Sequence, residues 1–226
     1  KDAYISINES LEHAAYSLGY KARIKYIQAE NLDVESLKEY QGILVPGGFG
    51  NRGVEGKIAA IKYARENKIP FLGICLGMQL AVVEFARNVL GYTDANSSEL
   101  DENTTHPVIH IMEDQKYIEK MGGTMRLGAY PCILGDGTLA KELYESKEIS
   151  ERHRHRYEYN NIYREELEKA GLKVSGTSPD NTLVEIVELP REVHPFYIAG
   201  QFHPEFKTRP NRPHPLFKGF IEASTK

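Results

Sequence analysis

The residue best suited to covalent chemistry is Cys75, which stands in the segment Gly73-Ile74-Cys75-Leu76-Gly77. This spacing is typical of a nucleophile elbow, in which the nucleophile sits between glycines on a sharp turn from strand to helix. The partial positive charge of the helix N-terminus favours the thiolate over the thiol, and the backbone N–H of Leu76 would point toward a developing oxyanion. The alternative is a buried core cysteine, which is how we interpret Cys132 because no glycines frame it.

A thiol nucleophile requires a general base and a group that orients the base. His203 begins the sequence His203-Pro204-Glu205 directly after the apolar run 196–202. Pro204 biases His203 toward extended backbone, in which residues two apart point to the same side. We therefore expect the Glu205 carboxylate to bind one ring nitrogen of His203 while the other nitrogen faces Cys75. The alternative is a surface turn without function, since a single histidine is weak evidence.

A glycine-rich segment, Pro46-Gly47-Gly48-Phe49-Gly50, follows another apolar run. Glycines allow backbone N–H groups to turn toward a bound anion or oxyanion. No Gly-Lys-Ser or Gly-Lys-Thr sequence follows, so this segment does not match a nucleotide-binding P-loop. The alternative is an ordinary tight turn after a strand.

The elements that must position these segments alternate between helix and strand. Hydrophobic periodicity predicts helices over 3–18, 34–40, 79–90, 139–144, 161–170 and 216–224, and another that contains Ile58, Ile61 and Ala64 and ends near Asn67. It predicts strands over 23–28, 42–46, 70–75, 108–112, 125–134, 173–177, 183–189 and 196–202. This order predicts an α/β fold with a doubly wound, mostly parallel sheet, helices on both faces and added antiparallel strands. Without a linker-like segment, residues 1–226 are expected to form one domain.

The charge of the chain argues against a nucleic-acid-binding role. Lys and Arg number 28 and Asp and Glu number 32, which gives a formal net charge of −4. The basic run Arg152–Arg156 invites a nucleic-acid contact, or metal binding by His153 and His155. Because the run has only five residues in an acidic chain, we expect neither nucleic acid nor a metal site.

The sequence also restricts the cellular setting. Two cysteines cannot form a disulfide framework, and no secretory leader is visible, so we expect a reducing, cytoplasmic location. No apolar run is long enough for a transmembrane helix, and no membrane partner is expected. Because the chain begins at Lys1 rather than Met, we expect it to be part of a longer polypeptide.

Together, the three glycine- and histidine-containing segments resemble the class I, or triad, glutamine amidotransferases. The sequence is most similar to the amidotransferase domains of the CTP synthase family. The segments that carry this likeness extend over nearly the whole chain and are Val45–Gly50, Arg52–Gly56, Met121–Gly128, Glu151–Glu158 and Gln201–Phe206.

The resemblance implies a flavodoxin-like fold and glutamine hydrolysis through a γ-glutamyl thioester. It implies that Cys75 attacks the glutamine side chain, that His203 transfers protons and that Glu205 orients His203. The backbone N–H groups of Gly48 and Leu76 would stabilise the oxyanion. The glutamine-binding positions implied by the family are Gly48, Leu76, Gln79, Glu99 and Arg156. A carboxylate and a guanidinium suit the ammonium and carboxylate of an amino acid.

The resemblance also implies partners outside this chain. The domain itself would need no cofactor, whereas a synthase domain would bind ATP, Mg²⁺ and UTP, with the full-length enzyme a homo-oligomer. GTP is expected as an activator, and Arg52–Gly56 resembles the lid loop that responds to it. One departure concerns the strand that usually precedes the first helix in the family, which is either absent or not included in this sequence.

Three alternatives remain open at the level of sequence. The chain is a stand-alone glutaminase subunit or a γ-glutamyl peptidase on the same fold, or it is a binding module without activity. An α/β-hydrolase shares the elbow, but its acid normally precedes the histidine by a long stretch, whereas Glu205 follows His203 by two residues.

Overall fold

The computed structural model describes residues 4–111 and 125–226. Its strands are β1 (Ile43–Val45), β2 (Phe71–Ile74), β3 (Asn96–Ser97), β4 (Pro107–Ile111), β5 (Arg126–Leu134), β6 (Glu148–His155), β7 (Tyr157–Tyr159), β8 (Lys173–Thr177), β9 (Val184–Glu188) and β10 (Tyr197–Gly200). Its α-helices are α1 (Ile5–Ser17), α2 (Val54–Glu66), α3 (Leu76–Asn88), α4 (Leu139–Tyr144), α5 (Arg164–Ala170) and α6 (Pro215–Ala223). Short 3₁₀ turns cover Ala29–Asn31, Val34–Glu39, Asn161–Tyr163 and Pro204–Phe206.

Seven of the described strands form a mixed sheet in the order β1-β2-β10-β9-β8-β5-β6, and β3-β4-β7 form a small second sheet. Strands β1, β2 and β10 run parallel, whereas the remaining neighbours in the large sheet are antiparallel. The α/β class with parallel strands and antiparallel additions therefore agrees with the sequence prediction, but the large sheet is mixed rather than mostly parallel, because only two of its six strand pairings are parallel.

Helices cover both faces of the parallel strands, which explains why these strands are apolar throughout. Phe71 of β2 belongs to the core cluster that includes α2 and α3, while Leu72 and Ile74 belong to the cluster that includes α1 and α6. Side chains alternate between the two faces of a strand, so β2 supplies both clusters. Within the described ranges, no helix has the length and apolar character needed to cross a bilayer.

The predicted strand over 23–28 is wrong. This segment is irregular and mostly exposed, and only Ile24 packs against a core cluster. An alternating pattern favours extended backbone, but a strand also needs a neighbour for its backbone hydrogen bonds. No described strand supplies one.

Other boundaries differ because backbone contacts override hydrophobic periodicity. Helix α3 begins at Leu76 rather than residue 79, since the Cys75 carbonyl accepts from the N–H groups of Met78 and Gln79. Val54, Glu55 and Gly56, expected in a lid-like loop, instead form the first turn of α2. Residue 112, at the end of the predicted strand 108–112, and residues 121–124, the first half of the segment Met121–Gly128, lie outside the described residues.

Strand β6 is not among the strands predicted from the sequence. Along β6, exposed Arg152 and Arg154 alternate with buried Glu151, His153 and His155. The period of two is present, but the buried side is polar, and hydrophobic periodicity cannot detect such a strand.

Close backbone packing holds the turn between β2 and α3. A Cβ atom on Gly77 would overlap the Val45 carbonyl oxygen, and one on Gly73 would lie 2.8 Å from the Ala199 Cβ. Gly48, on the neighbouring loop, has more room, because a Cβ there would lie 3.5 Å from the Leu76 side chain. Gly77 therefore allows α3 to approach β1 closely, and Gly73 allows β10 to approach β2 closely.

We expect Gly77→Ala to lower the free energy of unfolding by ~2 kcal/mol or more, because the backbone of β1 must move away from the new methyl group. Urea denaturation measures this change. Gly48→Ala is the matched control and should change the stability much less. Equal stabilities of the two variants would contradict the close packing at Gly77.

Candidate active site

Cys75 occupies a strained turn at the N-terminus of α3. Its φ of +52° and ψ of −103° place it outside the regions that residues with a side chain normally adopt. Its N–H donates to the Gly200 carbonyl at 2.8 Å, and its carbonyl accepts from Met78 at 3.0 Å. Hydrogen bonds on both sides of the residue therefore hold the strained conformation, which is common at functional sites.

His203 and Glu205 form the contact expected from their spacing. The His203 Nδ1 and the Glu205 Oε1 are 2.8 Å apart; His203 directly precedes the 3₁₀ turn Pro204–Phe206, and Glu205 lies within it. The backbone N–H of His203 donates to the Arg152 carbonyl at 2.7 Å, which ties the segment to β6. The Phe206 ring stacks on the imidazole with centroids 5.3 Å apart. The imidazole is thus fixed at one nitrogen and on one face.

The structure brings the imidazole and the thiol together beside Gly47. A Cβ atom on Gly47 would lie 2.8 Å from the His203 Cε1 and 3.5 Å from the Cys75 Cβ. The Nε2 of His203 is buried and makes no hydrogen bond of ordinary geometry with a described residue. This nitrogen is therefore available for proton exchange with the thiol or with a ligand.

Two opposing effects set the pKa of His203. Burial lowers it, but interactions with the Cys75 sulfur and the Glu205 carboxylate outweigh burial and raise the pKa to about 10. A protonated imidazole beside the sulfur stabilises a thiolate. The two groups therefore form a coupled acid–base pair.

The sulfur opens onto a cavity of about 340 Å³. Every glutamine-binding position implied by the resemblance lines this cavity, namely Gly48, Leu76, Gln79, Glu99 and Arg156. The backbone N–H groups of Gly48 and Leu76 donate to no acceptor among the described residues, which leaves both available for an oxyanion. A larger cavity of about 510 Å³, beside Thr138 and Glu188, contains none of the predicted site residues.

Opposite charges stand at the open side of the cavity. Glu99 lies in the turn after β3, and Arg156 lies between β6 and β7. Partial burial raises the pKa of Glu99, and the positive charge of Arg156 opposes this shift. The cavity therefore offers one acidic and one basic group, together with the thiol.

Several residues that the sequence analysis did not assign also belong to this site. Phe49, Met125, His155 and Tyr157 line the cavity. Gln201 is fully buried, and its Nε2 lies 3.8 Å from the Cys75 Sγ. The sequence signal for Gln201 is a single polar residue inside an apolar run, which is too common to indicate a site by itself.

The two histidines of the basic run belong to a buried polar cluster. His153 Nδ1 and His155 Nε2 are 2.8 Å apart, and Arg126 pairs with Glu185 at 2.6 Å. Burial lowers the pKa of His155 to about 3 and also lowers that of His153, so both rings are neutral near pH 7. Among the described residues, no group of three histidine, cysteine or acidic side chains is arranged to hold a metal ion.

Comparisons with known proteins agree with this geometry. Residues 1–223 match the family described as Glutamine amidotransferase class-I, and the chain belongs to that family. The glutaminase domain of Trypanosoma brucei CTPS, solved with bound acivicin, is 41% identical, has a TM-score of 0.94, and is matched over 99% of this chain and 88% of its own.

Curated relatives identify the group within this family that the chain resembles. The CTP synthase of Clostridium beijerinckii is 61% identical over 99% of this chain, and that of Staphylococcus aureus is 59% identical over 100%. Within the class-I family, the chain belongs with the glutaminase domains of CTP synthases. It spans only 42% of the length of these curated relatives.

We expect Cys75→Ala to lower the pKa of His203, because the sulfur is one of the groups that raise it, whereas burial remains. Titration of the imidazole nitrogens by NMR measures the change. Cys132→Ala, which removes a thiol from the core cluster, should leave the His203 titration unchanged. A His203 midpoint that does not move in Cys75→Ala would refute the coupling.

Proposed function

We propose that this chain hydrolyses glutamine to glutamate and ammonia as the glutaminase domain of a CTP synthase. The observation that carries the proposal is the arrangement at Cys75. A thiol on a strained turn adjoins an imidazole–carboxylate pair and opens onto a cavity with separate acidic and basic groups. Membership of the class-I amidotransferase family supports the same reaction.

In the proposed reaction, His203 takes the thiol proton and the Cys75 sulfur attacks the γ-carbonyl carbon of glutamine. The backbone N–H groups of Gly48 and Leu76 stabilise the negative oxygen of the tetrahedral intermediate. The protonated imidazole then gives its proton to the departing nitrogen, ammonia leaves, and a γ-glutamyl thioester remains. Glu205 keeps the imidazole oriented throughout.

Water completes the reaction from the same side of the thioester. His203, now neutral, takes a proton from the water as its oxygen attacks the thioester carbon. The intermediate collapses, the carbon–sulfur bond breaks, and glutamate leaves with the thiol restored. The proton taken by His203 returns to the sulfur, and the new γ-carboxyl group loses its proton to the released ammonia or to solvent, so atoms and protons balance.

We assign recognition of the amino acid to the charged groups of the cavity. Glu99 suits the α-ammonium of glutamine, and Arg156 suits its α-carboxylate. Gln79 lines the same cavity, and its side chain is fixed by hydrogen bonds to the Tyr157 carbonyl and to Gln201. The side-chain amide of the substrate then reaches Cys75.

The activity of the whole protein is a further part of the proposal. We infer that ammonia passes to a synthase domain that uses ATP and Mg²⁺ to aminate UTP to CTP. GTP activation, a homo-oligomeric full-length enzyme and a cytoplasmic location are inferred on the same ground, and two free thiols fit such a location. We also propose that residues 1–226 form one domain, since both core clusters pack against one sheet.

We expect Cys75→Ala and Cys75→Ser to reduce glutamine hydrolysis by at least about 10³-fold, because no other group supplies the thioester. In the full-length enzyme, CTP formation from added ammonia should survive, since that route does not need the thiol. Assays of CTP formation with glutamine and with ammonia measure both. Equal loss of the two activities would contradict this division.

Labelling by a glutamine-mimicking electrophile tests the same thiol in the chain without substitutions. Mass spectrometry should find stoichiometric labelling at Cys75 and none at Cys132, which is buried in the core cluster. Absence of labelling at Cys75 would support a binding module rather than an enzyme. Faster turnover of γ-glutamyl peptides than of glutamine would instead favour a peptidase.

We expect Arg156→Ala to raise KM for glutamine about 10- to 100-fold with a smaller change in kcat, because a charged hydrogen bond to the substrate is lost. Steady-state kinetics with glutamine measure the change. Arg152→Ala removes an exposed guanidinium from the same basic run, away from the cavity lining, and should leave KM nearly unchanged. Similar KM values for the two variants would argue against this role of Arg156.

A further inference from the structure

Gln201 is a buried amide whose side-chain partners all belong to the active site. Its side chain is fully buried just after β10, and its backbone N–H donates to the Glu185 carbonyl at 2.8 Å. Buried polar groups are nearly always hydrogen-bonded. The partners of this amide are Gln79 at 3.3 Å and the Cys75 sulfur at 3.8 Å. The reaction described above gives Gln201 no part.

A backbone carbonyl fixes the orientation of this amide. The Tyr157 carbonyl, which can only accept, receives a hydrogen bond from the Gln79 Nε2 at 3.1 Å. The NH₂ group of Gln79 therefore also faces Gln201, whose Oε1 accepts from it. With its oxygen engaged, Gln201 must turn its own NH₂ group toward Cys75. The direction of donation thus runs from Gln79 to Gln201 and from Gln201 to the sulfur.

Two neighbours of the sulfur favour opposite protonation states. The Arg154 carbonyl oxygen lies 4.0 Å from the Cys75 Sγ and can only accept, so it favours the thiol. The Gln201 NH₂ group can only donate, so it favours the thiolate, because a donor stabilises the charged form of an acceptor. Loss of the proton from sulfur weakens the first contact and strengthens the second.

We propose that Gln201 stabilises the Cys75 thiolate by donating a hydrogen bond from its side-chain amide to the sulfur. Gln79 orients the amide, so a residue of the glutamine cavity also prepares the nucleophile. This assignment deepens the proposed function and rests on it, because it concerns activation of the same thiol. A carboxylate or a thioether at position 201 would occupy similar space without this donor.

The test measures the rate of Cys75 alkylation by iodoacetamide against pH, with mass spectrometry to follow each cysteine. Gln201→Met removes the donor, and we expect the midpoint of the Cys75 profile to rise by about one pH unit. Gln201→Glu places a carboxylate beside the sulfur and should raise the midpoint further. At a fixed pH below the midpoint, a rise of the midpoint by about one pH unit should slow alkylation about tenfold.

Asn160→Asp is the matched control, because Asn160 is another buried amide, and its Nδ2 donates to the Pro107 carbonyl at 2.8 Å. This variant should leave the alkylation midpoint of Cys75 unchanged. A structural role for Gln201 would lower the melting temperature without moving that midpoint. An unchanged midpoint in folded Gln201→Met and Gln201→Glu would therefore overturn the proposal.

A second test needs no substitution at position 201 and therefore applies even if the Gln201 variants do not fold. The side-chain amide NMR signals of Gln201 should shift as Cys75 titrates and should lose that titration in Cys75→Ala. Signals that show no such titration would overturn the proposal. Because iodoacetamide needs no glutamine site, a chain with the expected midpoints but no glutaminase activity would contradict only the proposed function.

Discussion

The conformation of the chain at Cys75 determines where the other parts of the site must lie. This residue joins β2 to α3 with a positive φ, and hydrogen bonds to Gly200 and to the first turn of α3 maintain that angle. Strand β2 lies between β1 and β10 and runs parallel to both. The carboxyl ends of three strands therefore meet at one edge of the sheet, as in other open α/β folds.

Three distant segments of the chain reach that edge because of this topology. The loop after β1 carries Gly47 and Gly48, the turn after β2 carries Cys75, and the segment after β10 carries Gln201 and His203. Each segment supplies a different chemical group: backbone N–H donors, a thiol, or an amide and an imidazole. A parallel arrangement thus combines groups from separate parts of the sequence within one small volume.

The antiparallel part of the sheet contributes through its backbone. Strand β6 offers the Arg152 carbonyl to His203 and places the Arg154 carbonyl near the sulfur. The buried side of β6 carries His153 and His155, whose ring nitrogens lie 2.8 Å apart. His153 also lies 3.5 Å from Glu185, and His155 lies 3.3 Å from Glu158. The hydrogen bond from the His203 N–H to the Arg152 carbonyl therefore ties β6 to the site.

The sequence by itself determined the features that depend on local patterns. Apolar runs bounded by glycines indicated β1, β2 and the turn at Cys75, and the spacing of His203 and Glu205 indicated their contact. Tertiary structure decided the rest. The segment 23–28 has the alternating pattern of a strand but pairs with no described strand. Strand β6 lacks an apolar pattern but pairs with β5. The donor role inferred for Gln201 depends on Gln79 and the Tyr157 carbonyl, which lie far away in sequence, because a hydrogen bond requires proximity that only packing creates.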